Sequence, residues 1–265
     1  SIRRQRQMCI RDRNHGTSIG GARPKVLFRR GKSYLVAKFS SSRDTLNMIA
    51  AEHGAMRLAT KAGLNVADTR VLEVSGKDVL LVRRFDRDTQ AAGHPTRRHM
   101  LSAMTLLALD EYAVRTGEAS YLELADVLRQ YATDFERDGR ELFRRMVFNI
   151  LIGNTDDHAR NHACFWDGKA LDLTPGYDIC PQPRLGYSAD LAMVVGHQGR
   201  AATLNNALSQ AERFGLSEHE AAECVEAMKQ IVEAHWKELF SAAGMEAGDI
   251  EYLAKATILS PSIFD

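Results

Sequence analysis

Asp156 stands five residues before Asn161, and Asp178 follows Asp156 by 22 residues. Carboxylate, amide and carboxylate in that order suit the transfer of a phosphoryl group. A carboxylate at 156 can accept a hydrogen bond from an attacking hydroxyl and align it with a terminal phosphate. Asn161 and Asp178 offer the hard oxygen ligands that Mg²⁺ prefers, with phosphates and waters filling its remaining positions. Taken singly, Asn154-Thr155-Asp156-Asp157-His158 reads as a polar helix exit and Tyr177-Asp178 as a turn. Their joint occurrence behind an apolar helix favours the chemical reading.

Two further features fit an ATP-dependent transfer. Lys38 interrupts an otherwise apolar strand, where an unpaired ammonium would be costly. Glu52 shares a helix face with Met48, Met56 and Ala59, an equally unusual place for a lone charge. Pairing the two solves both problems and aims the ammonium at the α- and β-phosphates; the plainer alternative has Lys38 snorkelling to solvent and Glu52 at the rim. In Ser18-Ile19-Gly20-Gly21-Ala22-Arg23-Pro24-Lys25, small residues let backbone N–H groups approach an anion, and Arg23 and Lys25 add positive charge. The Walker A pattern is absent. Asp156, Asp157, His158, His162 and Asp178 also permit a metal-hydrolase reading, with His158 and His162 four apart. A zinc pair at that spacing needs a helix, and Gly153-Asn154 just upstream argues for a loop.

Lys25 to Asp86 is patterned as strands. Val26–Arg29 and Ser33–Phe39 flank a turn at Gly31-Lys32, and Thr69–Val74 and Val79–Phe85 flank Ser75-Gly76-Lys77-Asp78. Thr45–Ala62 reads as a helix ended by Gly63. After a polar connection over Arg87–Arg97, apolar spacing predicts helices over Arg98–Leu109, Tyr121–Tyr131 and Arg140–Leu151, the last apolar on most of its circumference and so central. Ala163–Trp166 and Lys169–Leu173 form a hairpin around Asp167-Gly168. From Glu218 the chain is helical, with Cys224, Met228, Ile231, Val232, His235 and Leu239 as an apolar stripe read as core packing. A smaller sheet-rich lobe is therefore followed by a larger helical one.

Composition sets the outer bounds. The 265 residues are 45% hydrophobic and 26% charged, enough for one large core or two modest lobes. No apolar run approaches a membrane span, and no apolar core follows the basic start as in a secretory signal. Cys9, Cys164, Cys180 and Cys224 lie far apart, which argues against a zinc ribbon or disulfide framework and for a reducing cytoplasm. Residues 1–13 hold five arginines and one aspartate, and look like a translated sequencing adapter rather than evolved protein. Setting that +4 aside turns the formal charge of +1 into −3, which gives no general case for nucleic-acid binding.

The same residues resemble the HipA family of bacterial toxin kinases. The likeness runs through Thr17–Lys25, Val36–Phe39, Glu52, Gly63–Val66, Arg83–Arg87, Phe148–Asn161 and Pro175–Asp178. It implies an α+β, protein-kinase-like two-lobed fold, with a small N-lobe over residues 14–87 and a mostly helical C-lobe over 88–265. It implies a serine/threonine protein kinase using ATP and Mg²⁺, with Asp156 as catalytic base and Asn161 and Asp178 as metal ligands. Lys38, paired with Glu52, would hold phosphate, and Gly20, Gly21, Ala22, Arg23, Pro24 and Lys25 would cover it. Arg83, Arg84 and Phe85 would form the hinge beside adenine, with His158 and Tyr177 among the nucleotide-contacting positions. Ser18 matches an autophosphorylation site, where about two added negative charges would oppose the ATP phosphates. The resemblance further implies an aminoacyl-tRNA synthetase as protein substrate, a helix-turn-helix antitoxin as partner, a role in persistence, and an N-terminal subdomain missing from this chain. A small-molecule or lipid kinase, or an ATP-binding module without turnover, are the alternatives.

Overall fold

The computed structural model describes residues 24–42, 44–88, 96–184 and 186–265. Ser18, Gly20, Gly21, Ala22 and Arg23 lie outside them. The chain folds into two lobes of α+β type. Four antiparallel strands, β1 (Lys25–Arg30), β2 (Ser33–Phe39), β3 (Thr69–Val74) and β4 (Lys77–Arg83), form one sheet in the order β1-β2-β4-β3. Both hairpins are tight. Ser75 and Gly76 have φ of 54° and 74°, the paired positive values of a two-residue turn whose twist matches its strands. That turn lets β4 begin at Lys77, two residues earlier than its sequence suggests.

Register decides which side chains share a face. Val36 faces Val82, Lys38 faces Leu80, and Lys25 stands opposite Lys38 on the neighbouring strand. This inner face meets α1 (Met48–Lys61), which begins where the Asn47 side chain accepts from the Ala50 amide rather than at Thr45. The outer face carries its own small cluster around Ala37, Val79 and Leu81.

The larger lobe is built on α4 (Tyr121–Tyr131), α5 (Phe135–Ile152) and α7 (Glu218–Ala242). Asp134 caps α5, adding a polar first turn to the helix expected from Arg140, and its second half is buried on nearly every side. The short α2 (Ala103–Leu106), α3 (Glu111–Thr116) and α6 (Leu204–Leu208), with α8 (Ala247–Ala256), complete the helices. β5 (Arg87–Asp88) pairs with β6 (Thr96–Arg97), and β7 (Met100–Ser102), β8 (Ala163–Trp166) and β9 (Leu171–Leu173) make a three-stranded sheet.

Two sequence expectations fail here. The helix over Arg98–Leu109 is instead strand β7 followed by one helical turn. Met100, Leu101 and Ser102 pair with Phe165, Cys164 and Ala163, and Ser102 then caps α2 by accepting from the Thr105 amide. Along α7 the buried stripe is Ala221, Val225, Met228, Val232, Trp236 and Phe240, rotated from the one expected. The rotation follows from the crossing of α7 with α1. A Cβ on Gly54 would stand 2.9 Å from the Phe240 ring and 3.1 Å from its Cα, so glycine lets Phe240 pack directly on the α1 backbone.

Candidate active site

Between the lobes lies a cleft of about 970 Å³. Val36, Ile49, Val82, Phe85 and Met100 line an apolar part, and Lys25, Lys38, Asp156, Asn161 and Asp178 line a charged part.

Lys38 anchors the charged part. Its ammonium lies 2.5 Å from Glu52 Oε1 and 2.5 Å from Asp178 Oδ1. Strand β2 points it inward, α1 presents Glu52, and Asp178 arrives from the segment after β9. Burial pulls the Lys38 ammonium down, but Glu52 and Asp178 outweigh it and hold its pKa above the ordinary lysine value. Burial likewise raises the Glu52 carboxyl, and Lys38 restrains that rise. At Asp178 burial is outweighed by Lys38 and then Lys25, whose ammonium is 3.7 Å from Oδ2, so this carboxyl stays below the usual range. Asp178 also has φ of 61°, an uncommon conformation for a residue with a Cβ.

Asp156 is set by the end of α5. Gly153 closes that helix at φ 68°, and Thr257 packs so closely that a Cβ there would meet its carbonyl oxygen at 2.6 Å. The Asn154 amide and side chain then bond back to Asn149, at 2.8 Å and 3.0 Å. Asp157 turns into the core, where its Oδ2 accepts from Tyr121 Oη, from Asn149 Nδ2 at 2.8 Å and from His162 Nε2 at 2.7 Å. All four residues are buried. Asp156, its neighbour, is left exposed in the cleft wall. Partial enclosure of the carboxyl by the cleft walls raises it, His158 opposes the rise, and Asp178 and Asp157 add to it. Asn161 donates to the Asp156 carbonyl at 3.4 Å, which turns its amide oxygen away from that contact.

A second set of contacts ties Asp178 to the small lobe. Arg145, only 2% exposed, donates to Asn65 O at 3.0 Å and Thr174 O at 2.8 Å, with Glu141 beside its Nε at 2.9 Å. Gly176 donates to Asn65 O and accepts from Ala67 N, so Val66 and Gly176 form a short parallel bridge. The Tyr177 hydroxyl donates to Arg160 O at 2.7 Å.

The family described as HipA-like C-terminal domain matches residues 17–236. The chain belongs to that family. As a HipA-like chain it is 26% identical over 195 residues to the serine/threonine-protein kinase toxin HipA of Shewanella oneidensis, covering 65% of this chain and 45% of the relative. It spans 30–45% of the length of the curated relatives it matches. In fold it is similar to the HipA chain of the Shewanella oneidensis HipA, HipB and operator DNA complex, at TM-score 0.72 and 19% identity, over 92% of this chain and 62% of that one. It is also similar to the Helicobacter pylori proinflammatory kinase CtkA, at TM-score 0.57 and 14% identity, over 88% and 95% of the two chains.

Of the sequence candidates, Lys25, Lys38, Glu52, Arg83, Arg84, Phe85, Asp156, His158, Asn161, Tyr177 and Asp178 all line this one HipA-like cleft. Pro24, whose carbonyl accepts from the Phe39 amide, leads into β1 and is not among its lining residues. The two histidines of the metal-hydrolase alternative do not converge: His158 lines the cleft, while His162 is buried against Asp157. Among the described residues no three His, Cys, Asp or Glu side chains come together to hold an ion. Arg145, Tyr121 and Asn149 were not foreseen. An arginine within the most apolar part of α5 was the available signal for the first.

Proposed function

We propose that this chain is an ATP- and Mg²⁺-dependent serine/threonine protein kinase of the HipA toxin type. One observation carries the reading: the Lys38 ammonium touches Glu52 and Asp178 at 2.5 Å, although they lie 14 and 140 positions away in sequence. The donor set fits the ligands. An apolar slot beside a charged pocket suits a purine nucleotide, and the His158 Nδ1 atom is buried without a hydrogen-bond partner among the described residues.

In this mechanism Lys38, fixed by Glu52, binds the α- and β-phosphates, and Lys25 adds positive charge from the neighbouring strand. Asn161 and Asp178 would hold Mg²⁺, which supplies neutralisation of the phosphate charge. The amides of Arg83 and Arg84 already donate to Asp68 O and Tyr34 O. The adenine edge would therefore be met by carbonyls and the Phe85 amide, with the rings of Phe85 and Tyr177 lining the cleft alongside. Asp156 accepts the proton of a serine or threonine hydroxyl as that oxygen bonds to the γ-phosphorus and the bond to the β,γ-bridging oxygen breaks, releasing ADP.

The family supplies the finer expectations: phosphorylation of its own Ser18 as self-inactivation, an aminoacyl-tRNA synthetase as substrate, a cytoplasmic setting and a HipB-type antitoxin as partner. Incubation with γ-labelled ATP tests the reading. Transfer to Ser18 or to a synthetase supports it. Transfer only to a metabolite favours a small-molecule kinase, and ATP binding without transfer favours a non-catalytic module.

A further inference from the structure

The back of the small lobe holds a second concavity, which shares only Arg83 with the lining of the nucleotide cleft. It is a groove of about 640 Å³ where α1 meets the start of β3 and the end of β4. Its floor is apolar, with Met56, Ala67 and Leu81 all buried. Around it stand the guanidinium groups of Arg30, Arg57, Arg70 and Arg83, all on exposed residues. Against these four there is one carboxylate among the described lining residues, Asp68, which reaches Arg83 at 3.5 Å while both remain open to solvent. Arg30, Arg57 and Arg70 have no ion-pair partner among the described residues.

Like charges gathered around one concave surface raise its potential and attract an anion. In sequence, residues 1–23 hold six arginines and one aspartate, and 89–95 hold no acidic residue. The guanidinium groups sit on β1, α1, β3 and β4, so they match several charges strung along a chain better than a single dianion. Each planar fork suits a carboxylate. The buried floor adds a place for an apolar side chain, which a plain solvated basic face lacks.

We propose that this groove docks an acidic segment of a partner protein, with an apolar side chain on the Met56–Leu81 floor and aspartates or glutamates on the arginine rim. The inference stands apart from the kinase reading. Arg57 lies on the same helix as Glu52, so the docked segment bears directly on α1.

Fluorescence anisotropy with a short labelled peptide alternating leucine and glutamate tests it, beside a counterpart in which glutamine replaces glutamate. The glutamate peptide binds, loses affinity as salt rises, and binds at least ~10-fold more weakly to the Arg57→Glu/Arg70→Glu variant, whose melting temperature is unchanged. If that variant unfolds, Arg57→Gln/Arg70→Gln gives the same loss with the fold kept. Equal binding of the glutamine peptide, or unchanged affinity in the folded variant, overturns the proposal. So does tighter binding of a phosphoserine peptide or of a single-stranded oligonucleotide at the same arginines.

Discussion

With Glu52 on one side and Asp178 on the other, the Lys38 ammonium is the shared counter-charge of a buried carboxylate and a half-buried one. Lys38→Met leaves Glu52 buried without it. The expected cost is about 3–5 kcal/mol, limited by protonation of Glu52, and a lowered melting temperature reads it. Asp156 carries a different expectation. As the proposed base, its raised carboxyl must be ionised to take a proton, so kcat/KM is expected to fall as pH drops through a value above the ordinary aspartate range. In Asp156→Asn transfer falls by about 100- to 10,000-fold and that acid limb disappears, while nucleotide affinity stays within ~10-fold. Asp157 is opposite in sign: burial would raise its carboxyl, but His162 and Tyr121 hold it below the usual range. Its contribution to folding is complete above the unfolded value of about 3.9 and is lost as pH falls through the lower folded value. The destabilisation of Asp157→Asn is therefore large at neutral pH and shrinks only as pH falls below the ordinary aspartate range, as thermal melts at descending pH would register. Lys38 and Glu52 were legible in sequence because each is a charge on an apolar face. The Asp157 cluster was not, because its four members come from α4, α5 and the loop, and no single window holds them.

At the scale of elements, α1 and α7 approach closely enough that Gly54 has no room for a side chain. Gly54→Val gains only roughly a few tenths of a kcal/mol in helix preference and pushes on the Phe240 backbone as well as its ring. A loss of about 2–3 kcal/mol in chemical denaturation is expected, and an unchanged midpoint would mean the two helices can slide apart. The sheet and the long helices were readable because their periods are sustained and their turns carry glycine. β7 was not: three residues give no period, and their strand state is set by Ala163–Phe165, some sixty positions later in the chain. α3 escaped for the same reason, being six residues long. The buried face of α7 carries Trp236 and Phe240 rather than Ile231 and Leu239, and Phe240 packs there because Gly54, on another element, leaves it room.

Taken whole, the molecule closes its cleft from two sides. The Val66–Gly176 bridge and Arg145 join the small lobe to the segment carrying Asp178, and Lys38 completes the link from the sheet. The small lobe's helix and the candidate metal carboxylate are thereby held as one unit. The central claim is that this unit binds a magnesium nucleotide. Calorimetric titration of ATP into the full chain, with and without Mg²⁺, tests it most directly when wild type is compared with Asp178→Asn. Binding that Mg²⁺ strengthens in the wild type, and that Asp178→Asn weakens by at least ~10-fold, is the expected result. ATP affinity indifferent to both the metal and the substitution would contradict the account.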